Sequence, residues 1–312
     1  METVPQIIVI AGPTAVGKTQ VATEVCRRVG GAIVGCDSRQ VFRHLSIGTA
    51  KPDATELDGT AHHMLDVAGP GETYHAHRYA REAAQIINQL LHNGVVPVLT
   101  VGTGLFYEAL QFELISTPTI DPVCRNQATE AVSHDRNAIH ALACTQDPEY
   151  APKLKAGDTQ RLIRWYEIYL QTGRPMSTFF RDITRQQPRY PALNFVLTRE
   201  RRELYGRINQ RVDTMLEQGL IEEIREAINR GYDFRQIPVV GYTELLPCLD
   251  GEASLESCIA EVKKNSRRYA KRQLTWFRNR LQMREIHLST TGIEQGIEMI
   301  VTAWQTSRDT ST

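Results

Sequence analysis

Gly12-Pro13-Thr14-Ala15-Val16-Gly17-Lys18-Thr19 fits the pattern G-x-x-x-x-G-K-[ST]. The glycines let backbone N–H groups curl around phosphate oxygens, and a helix starting at the lysine adds the positive end of its dipole. Lys18 brings a point charge to the terminal phosphates, and the Thr19 hydroxyl is suited to ligate Mg²⁺. An apolar run, Gln6 to Ala11, precedes the loop, and a helix-period stretch from Lys18 to about Val29 follows it. That is the context the motif requires, so a phosphate site is expected over Gly12 to Thr19, with Mg²⁺ on Thr19. What carries the phosphate is left open by the motif.

A second constellation follows the next apolar run, Ala32 to Gly35, which ends at Cys36. Ligands of open α/β sheets sit beyond the carboxyl ends of the strands. Asp37, Ser38, Arg39 and Gln40 therefore project toward whatever the phosphate loop holds. Asp37 is a candidate general base, Ser38 and Gln40 can hydrogen-bond a polar substrate, and Arg39 can pair with phosphate. Capping of the next turn by Asp37 or Ser38 explains the same residues. Both readings stand on spacing alone. His62, His63, His75 and His77 suggest a metal cluster at first sight, but adjacent side chains on an extended chain point opposite ways. The pair makes a poor chelate, and no metal is assigned to it.

Positioning these groups requires alternating strands and helices. Tyr79 to Leu91 reads as a helix, Val95 to Val101 as a buried strand and Gly104 to Leu110 as another helix. Strand, helix, strand, helix implies a parallel sheet with crossover helices, an α/β fold of the P-loop NTPase-like kind. From Thr117 to about Arg189 the pattern changes, with Pro118, Pro122, Pro148 and Pro152 punctuating short polar helices. A small all-helical insertion over 117–189 is expected, inside a core of 1–116 and 190–312. After a strand at Phe195-Val196-Leu197, long helices are expected over Arg201 to Gln218, Leu220 to Arg230, Ser254 to Arg280 and Ile293 to Trp304.

Composition narrows the partners. The chain has 312 residues with 36 basic and 36 acidic side chains, which excludes a polybasic protein that holds nucleic acid by bulk charge. The zero is an average, however. Glu261 to Arg284 carries nine Lys or Arg and one acid, a charge of +8, so the remaining residues sum to −8. On a helix of about 100° per residue, Ala270, Leu274, Phe277 and Leu281 share one face. Lys263, Lys264, Arg267, Arg268, Lys271, Arg272 and Arg278 gather on an adjoining arc, which fits a phosphate backbone. No apolar run is long enough to span a bilayer. Six scattered cysteines without a C-x-x-C pair, and an amino terminus without signal-peptide features, point to a cytoplasmic protein with reduced thiols.

Asp37-Ser38-Arg39-Gln40-Val41-Phe42, followed by Ile47-Gly48-Thr49-Ala50-Lys51-Pro52, resembles the signature of the tRNA dimethylallyltransferases (tRNA isopentenyltransferases). The resemblance continues through His62-His63-Met64-Leu65-Asp66, Gly102-Thr103-Gly104-Leu105-Phe106 and Asp158 to Glu167. It recurs at Arg207 to Leu216, Gly241-Tyr242-Thr243-Glu244 and Tyr269 to Arg278, so motifs in matching order span most of the chain. The resemblance implies transfer of a dimethylallyl group from dimethylallyl diphosphate to N6 of the adenosine 3′ of a tRNA anticodon. The phosphate loop would then grip a prenyl diphosphate instead of ATP. By the same resemblance, Asp37 is the base, Thr103 lies near the reacting groups, and Arg211 neutralises the departing diphosphate with Lys18 and Mg²⁺. Asp37, Ser38, Arg39, Gln40, Arg125, Gln160, Arg161, Leu162, Ile163, Arg164, Gly241, Tyr242, Arg267, Lys271, Arg272 and Gln273 match tRNA-facing positions. The target base must be flipped out of the anticodon loop. A monomer is expected, and no protein partner is implied.

The chain departs from the family at Ser46, where an acid is usual, and at Val101, where glycine is usual and valine is expected to crowd a turn. Phe42 and Phe106 replace tyrosines, Trp165-Tyr166 replaces Ala-Leu, and Ser266 replaces threonine. Three other functions use the same loop: a small-metabolite kinase, a nucleotide-switched RNA-binding module and a free-nucleotide prenyltransferase. The basic helix disfavours the last, because a mononucleotide needs no such surface.

Overall fold

A computed structural model describes residues 6–112, 118–155, 157–180, 187–235, 238–280 and 282–309. Six strands form one sheet: β1 (Ile7–Ala11), β2 (Gly31–Cys36), β3 (His62–His63), β4 (Val96–Val101), β5 (Ala192–Thr198) and β6 (Arg284–His287). Their order is β3-β2-β4-β1-β5-β6, and every pairing is parallel. The central strand reads Ile-Ile-Val-Ile-Ala and is buried throughout, as a strand covered on both faces must be.

Register places the site. Val101 is the cross-strand partner of both Ala11 and Cys36, so β1, β2 and β4 end at one level. The segments that leave them, beginning at Gly12, Asp37 and Gly102, therefore emerge side by side. Backbone bonds seal the junction: the Gly12 N–H donates to Val101 O (3.3 Å), and those of Gly102 and Thr103 donate to Cys36 O (3.0 and 2.9 Å). Val101 closes the strand with no exposed surface. The expectation that it crowds the glycine-rich turn is corrected: it belongs to the ladder, and the turn starts after it.

Helices Lys18–Val29 and Ile293–Asp309 pack against the sheet. Val21, Ala22, Val25 and Cys26 of the first pack with Ile297, Ile300, Val301 and Trp304 of the second over the β1 aliphatics. Arg28 ties the pair together through Glu24, Glu294 and Glu298. Ala76–His92 and Gly104–Gln111 are joined by Tyr79 stacked on Phe106 at 4.5 Å. Phe106 thus uses its ring as packing surface, and Phe42 does the same edge-on to Tyr232 at 6.1 Å. The helices expected after β5 are found at Arg201–Glu217, Leu220–Asn229 and Leu255–Arg280. Leu281, placed on the core face by the helical wheel, lies outside the described residues.

The chain forms two compact units, Met1–Phe112 with Pro188–Thr312, and Glu113–Gln187. The expected boundary residue Thr117 lies outside the described residues. The described elements of the second unit are all helical, the longer ones being Pro122–His134, Arg136–Gln146 and Thr159–Thr172. Each begins on an aspartate whose carboxylate accepts a first-turn N–H: Asp121 from Val123, Asp135 from Ala138 and Asp158 from Arg161. Trp165 is fully buried among Val132, Ala143, Leu162 and Ile168. Its indole N–H donates to Asp147 Oδ2 at 3.0 Å, and the Ser177 N–H donates to the same oxygen at 3.1 Å. The larger residue at this departure therefore comes with its own buried polar partner.

Candidate active site

The phosphate loop curves between β1 and the Lys18–Val29 helix, with its carbonyls bonded by cations. Lys18 Nζ donates to Gly12 O (2.9 Å) and Pro13 O (3.0 Å). Arg207 Nε donates to Ala15 O (2.9 Å) and Arg199 Nε to Val16 O (2.8 Å). Ala15 sits at φ 63, a left-handed conformation that costs an alanine about 1 kcal/mol, and the Arg207 bond offsets that strain. No acid occupies the first turn of the helix, so nothing in that turn cancels its dipole.

Lys18 carries the electrostatics of the site. Burial pulls its ammonium down to about 8, the charge of Asp37 opposes that shift, and Arg211 adds to it. The phosphate-loop amine thus feels both the carboxylate after β2 and an arginine of the Arg201–Glu217 helix. Burial also lowers the affinity of Arg211 for its proton, and its Nη1 reaches Thr14 Oγ1 at 3.5 Å. A partly buried cation with so weak a contact is available to an anion on the loop.

Asp37 realises the capping geometry with one oxygen only. Oδ1 accepts the Arg39 N–H at 2.8 Å, an Asx turn. Oδ2 lies over Gly102 so closely that a Cβ there would stand 2.6 Å from it, and it accepts no hydrogen bond among the described residues. That oxygen keeps a lone pair for a proton. Thr103 Oγ1 accepts the Ser38 N–H (2.9 Å) and donates to Ser38 Oγ (3.2 Å), fixing the segment after β2 to the segment after β4. The Tyr269 phenol contacts Thr103 and is held above its usual range by burial, then by the Asp37 charge.

Thr19 is half-buried at the start of the helix, and its hydroxyl has no hydrogen-bond partner among the described residues. Hard cations that keep few protein ligands suit such a position, because substrate phosphates supply the remaining oxygens. Among the described residues no three His, Cys, Asp or Glu side chains gather as a metal cage. His62 has both ring nitrogens buried without partners, and burial pulls its imidazole down to about 4.

Several expected RNA-facing residues have other duties. Tyr242 has no exposed surface and donates its hydroxyl to Glu223 Oε1 at 2.7 Å. Leu162 is equally buried, in the core of the insertion, and Ile163 packs against that core. Gln273 is 7% exposed, with both ends of its amide bonded to backbone. The side chains of Tyr242, Leu162 and Gln273 thus lie inside the fold. Gly241 is buried as well. Gln40 donates to Thr49 O and Ala50 O, holding the following loop. Arg125 bonds Glu167 at 3.1 Å yet stays 60% exposed, while Gln160 and Arg161 are exposed. Arg164 also pairs with Glu167. On the Leu255–Arg280 helix, Lys271 and Arg272 are exposed, and Arg267 bonds Asn209 at 2.7 Å. Trp276 is half-buried, with its indole on Gly104 where a Cβ would lie 2.3 Å from the ring.

Arg199, Arg207, Tyr269 and Glu223 escaped the sequence reading as site residues. Glu223 accepts the N–H groups of Ser46 (2.7 Å), Ile47 (2.8 Å) and Gly48 (3.0 Å), so the family's acid at position 46 is absent but a glutamate from another helix binds that loop. Only Arg207 and Tyr269 carried a signal, each lying within a matched motif.

A parallel sheet with a G-x-x-x-x-G-K-[ST] loop after β1, and a carboxylate and hydroxyl at the adjoining strand ends, is an α/β architecture of the P-loop NTPase-like kind. A family model described as IPP transferase matches residues 40–280. A tRNA dimethylallyltransferase of Citrifermentans bemidjiense is 40% identical over 274 residues, covering 87% of this chain and 89% of its own length. One of Staphylococcus aureus is 34% identical and covers 96% and 97%. The crystal structure of a tRNA isopentenylpyrophosphate transferase from Bacillus halodurans aligns with TM-score 0.72 at 34% identity, covering 98% of this chain and 99% of that one. A eukaryotic dimethylallyltransferase captured acting on tRNA aligns with TM-score 0.77 at 28% identity, over 91% of this chain and 74% of that one. The chain belongs to the IPP transferase family.

Proposed function

We propose that this enzyme transfers a dimethylallyl group from dimethylallyl diphosphate to N6 of the adenosine 3′ of a tRNA anticodon, releasing diphosphate. The observation that carries the reading is the common level at which β1, β2 and β4 end, which sets the phosphate loop beside Asp37, with Lys18 in the field of both Asp37 and Arg211. The loop N–H groups, Lys18 and Arg211 hold the diphosphate. The adenine amine attacks the allylic carbon, the C–O bond to diphosphate breaks as the C–N bond forms, and Asp37 Oδ2 accepts the N6 proton. Lys18 and Arg211 take up the charge that develops on the leaving group, an effect worth about 10²–10³ in rate for one such group. Mg²⁺, held by Thr19 and the donor's own oxygens, would add further neutralisation of that charge. The exposed cations Lys271 and Arg272 suit the phosphate backbone of the anticodon stem-loop.

The test is a product analysis. Protein, dimethylallyl diphosphate, Mg²⁺ and unmodified tRNAs with adenosine 3′ of the anticodon are incubated, and the digested nucleosides are weighed. A C5H8 unit gained on adenosine is the expected result. Its absence across several such tRNAs, with protein that still binds the donor, contradicts the reading.

A further inference from the structure

Tyr269, Gln273 and Trp276 lie at i, i+4 and i+7 along the Leu255–Arg280 helix, so they share one stripe. Each meets a different piece of the site: Tyr269 the Thr103 hydroxyl, Trp276 the backbone of Gly104, and Gln273 two loops at once. Gln273 Oε1 accepts the Thr14 N–H at 2.9 Å, and its Nε2 donates to Gly102 O at 2.8 Å. The first partner belongs to the loop that holds diphosphate. The second is the residue over which Asp37 Oδ2 rests, next to Thr103. A buried amide with its acceptor spent on one loop and its donor on the other sets the separation of the two, because a shift of either breaks a buried bond.

We infer that Gln273 is a positioning residue that holds the diphosphate-binding loop in register with the proton-accepting carboxylate. Displacement at carbon requires the amine, the allylic carbon and the leaving oxygen to be aligned at near-contact distances, and misplacement by about 1 Å costs about 10²-fold in rate. The Asx turn of Asp37 and the Thr103–Ser38 bonds fix the acceptor half of the site, and Lys18, Arg199 and Arg207 fix the donor half. Gln273 ties one half to the other with a direct bond to each. The kinetic part of this inference rests on the prenyl-transfer reading; the part concerning the shape of the phosphate loop does not.

The variant Gln273→Met keeps the length and fills the buried space but removes both bonds. Three quantities are compared with wild type: affinity for inorganic diphosphate with Mg²⁺ by calorimetry, affinity for an anticodon stem-loop RNA, and the single-turnover transfer rate with both substrates saturating. The expected results are a loss of about tenfold in diphosphate affinity, RNA affinity within about twofold of wild type, and a saturated rate lower by about 10²-fold. Unchanged diphosphate affinity in the folded variant, or an unchanged saturated rate, overturns the inference. A fall in RNA affinity alone makes Gln273 an RNA contact instead and overturns it too. Thermal melts verify folding, and Gln273→Asn, one methylene too short to reach both partners, takes the place of a variant that does not fold. Wild-type protein that binds diphosphate but transfers nothing defeats the functional reading alone, and the diphosphate measurement still judges Gln273.

Discussion

Lys18 is the residue whose chemistry is most open to measurement. Its ammonium is pulled down to about 8 by burial. A bound diphosphate favours the charged form, so binding above that pH must recruit a proton. Donor affinity measured without RNA is expected to be level up to about pH 8 and then to weaken, by up to about tenfold per unit. A flat profile to pH 9.5 would show that the lysine is not the titrating contact. Arg211→Ala is expected to lower the saturated transfer rate by about 10²-fold or more, with RNA affinity retained. An effect confined to the affinity for donor would make Arg211 a binding group only.

At the scale of elements, the sheet shows what the sequence could and could not tell. β1 and β4 announce themselves as aliphatic runs of strand length, and the Lys18–Val29 helix falls where its motif and periodicity predict. β3 and β6 were missed because they are edge strands of two and four residues, His-His and Arg-Glu-Ile-His, too short and polar for a burial pattern. The candidate site was legible where one segment carries its own chemistry, at Gly12 to Thr19 and Asp37. Glu223, Arg199 and Gln273 act through partners remote in sequence, and spacing along a chain contains no trace of that. Glu223→Ala would strip three loop N–H groups and the buried Tyr242 hydroxyl of their acceptor, with a loss of stability of about 1–3 kcal/mol. Tyr242→Phe should cost about 1 kcal/mol or less by the same principle, and denaturant titrations compare the two. His62 supplies a pH-dependent term. Its imidazole is held near 4 in the fold, against 6.5 unperturbed. The unfolded chain therefore binds a proton between pH 6.5 and 4 that the fold refuses, and stability falls as the pH drops through that window. His62→Leu should flatten this acid limb of the melting curve, and an unaltered limb would assign it to other groups.

Across the whole molecule the charge is zero only in sum. The Leu255–Arg280 helix turns Lys271 and Arg272 to solvent while its inner stripe touches the loops of the site. Backbone binding by a few such cations has a signature: the logarithm of RNA affinity falls linearly with that of salt, and Lys271→Ala should reduce the slope by about one. An unchanged slope would remove that lysine from the RNA surface. Among the described residues no helix is long and apolar enough to cross a membrane. If this phosphate loop serves a carboxylate-assisted alkylation of RNA, Asp37 decides it. Single-turnover transfer to tRNA, with donor and RNA saturating, should fall by at least about 10²-fold in Asp37→Ala, while RNA affinity stays within about twofold of wild type. Transfer at the wild-type rate would contradict the claim, and loss of RNA affinity in step with transfer would make Asp37 a binding residue instead.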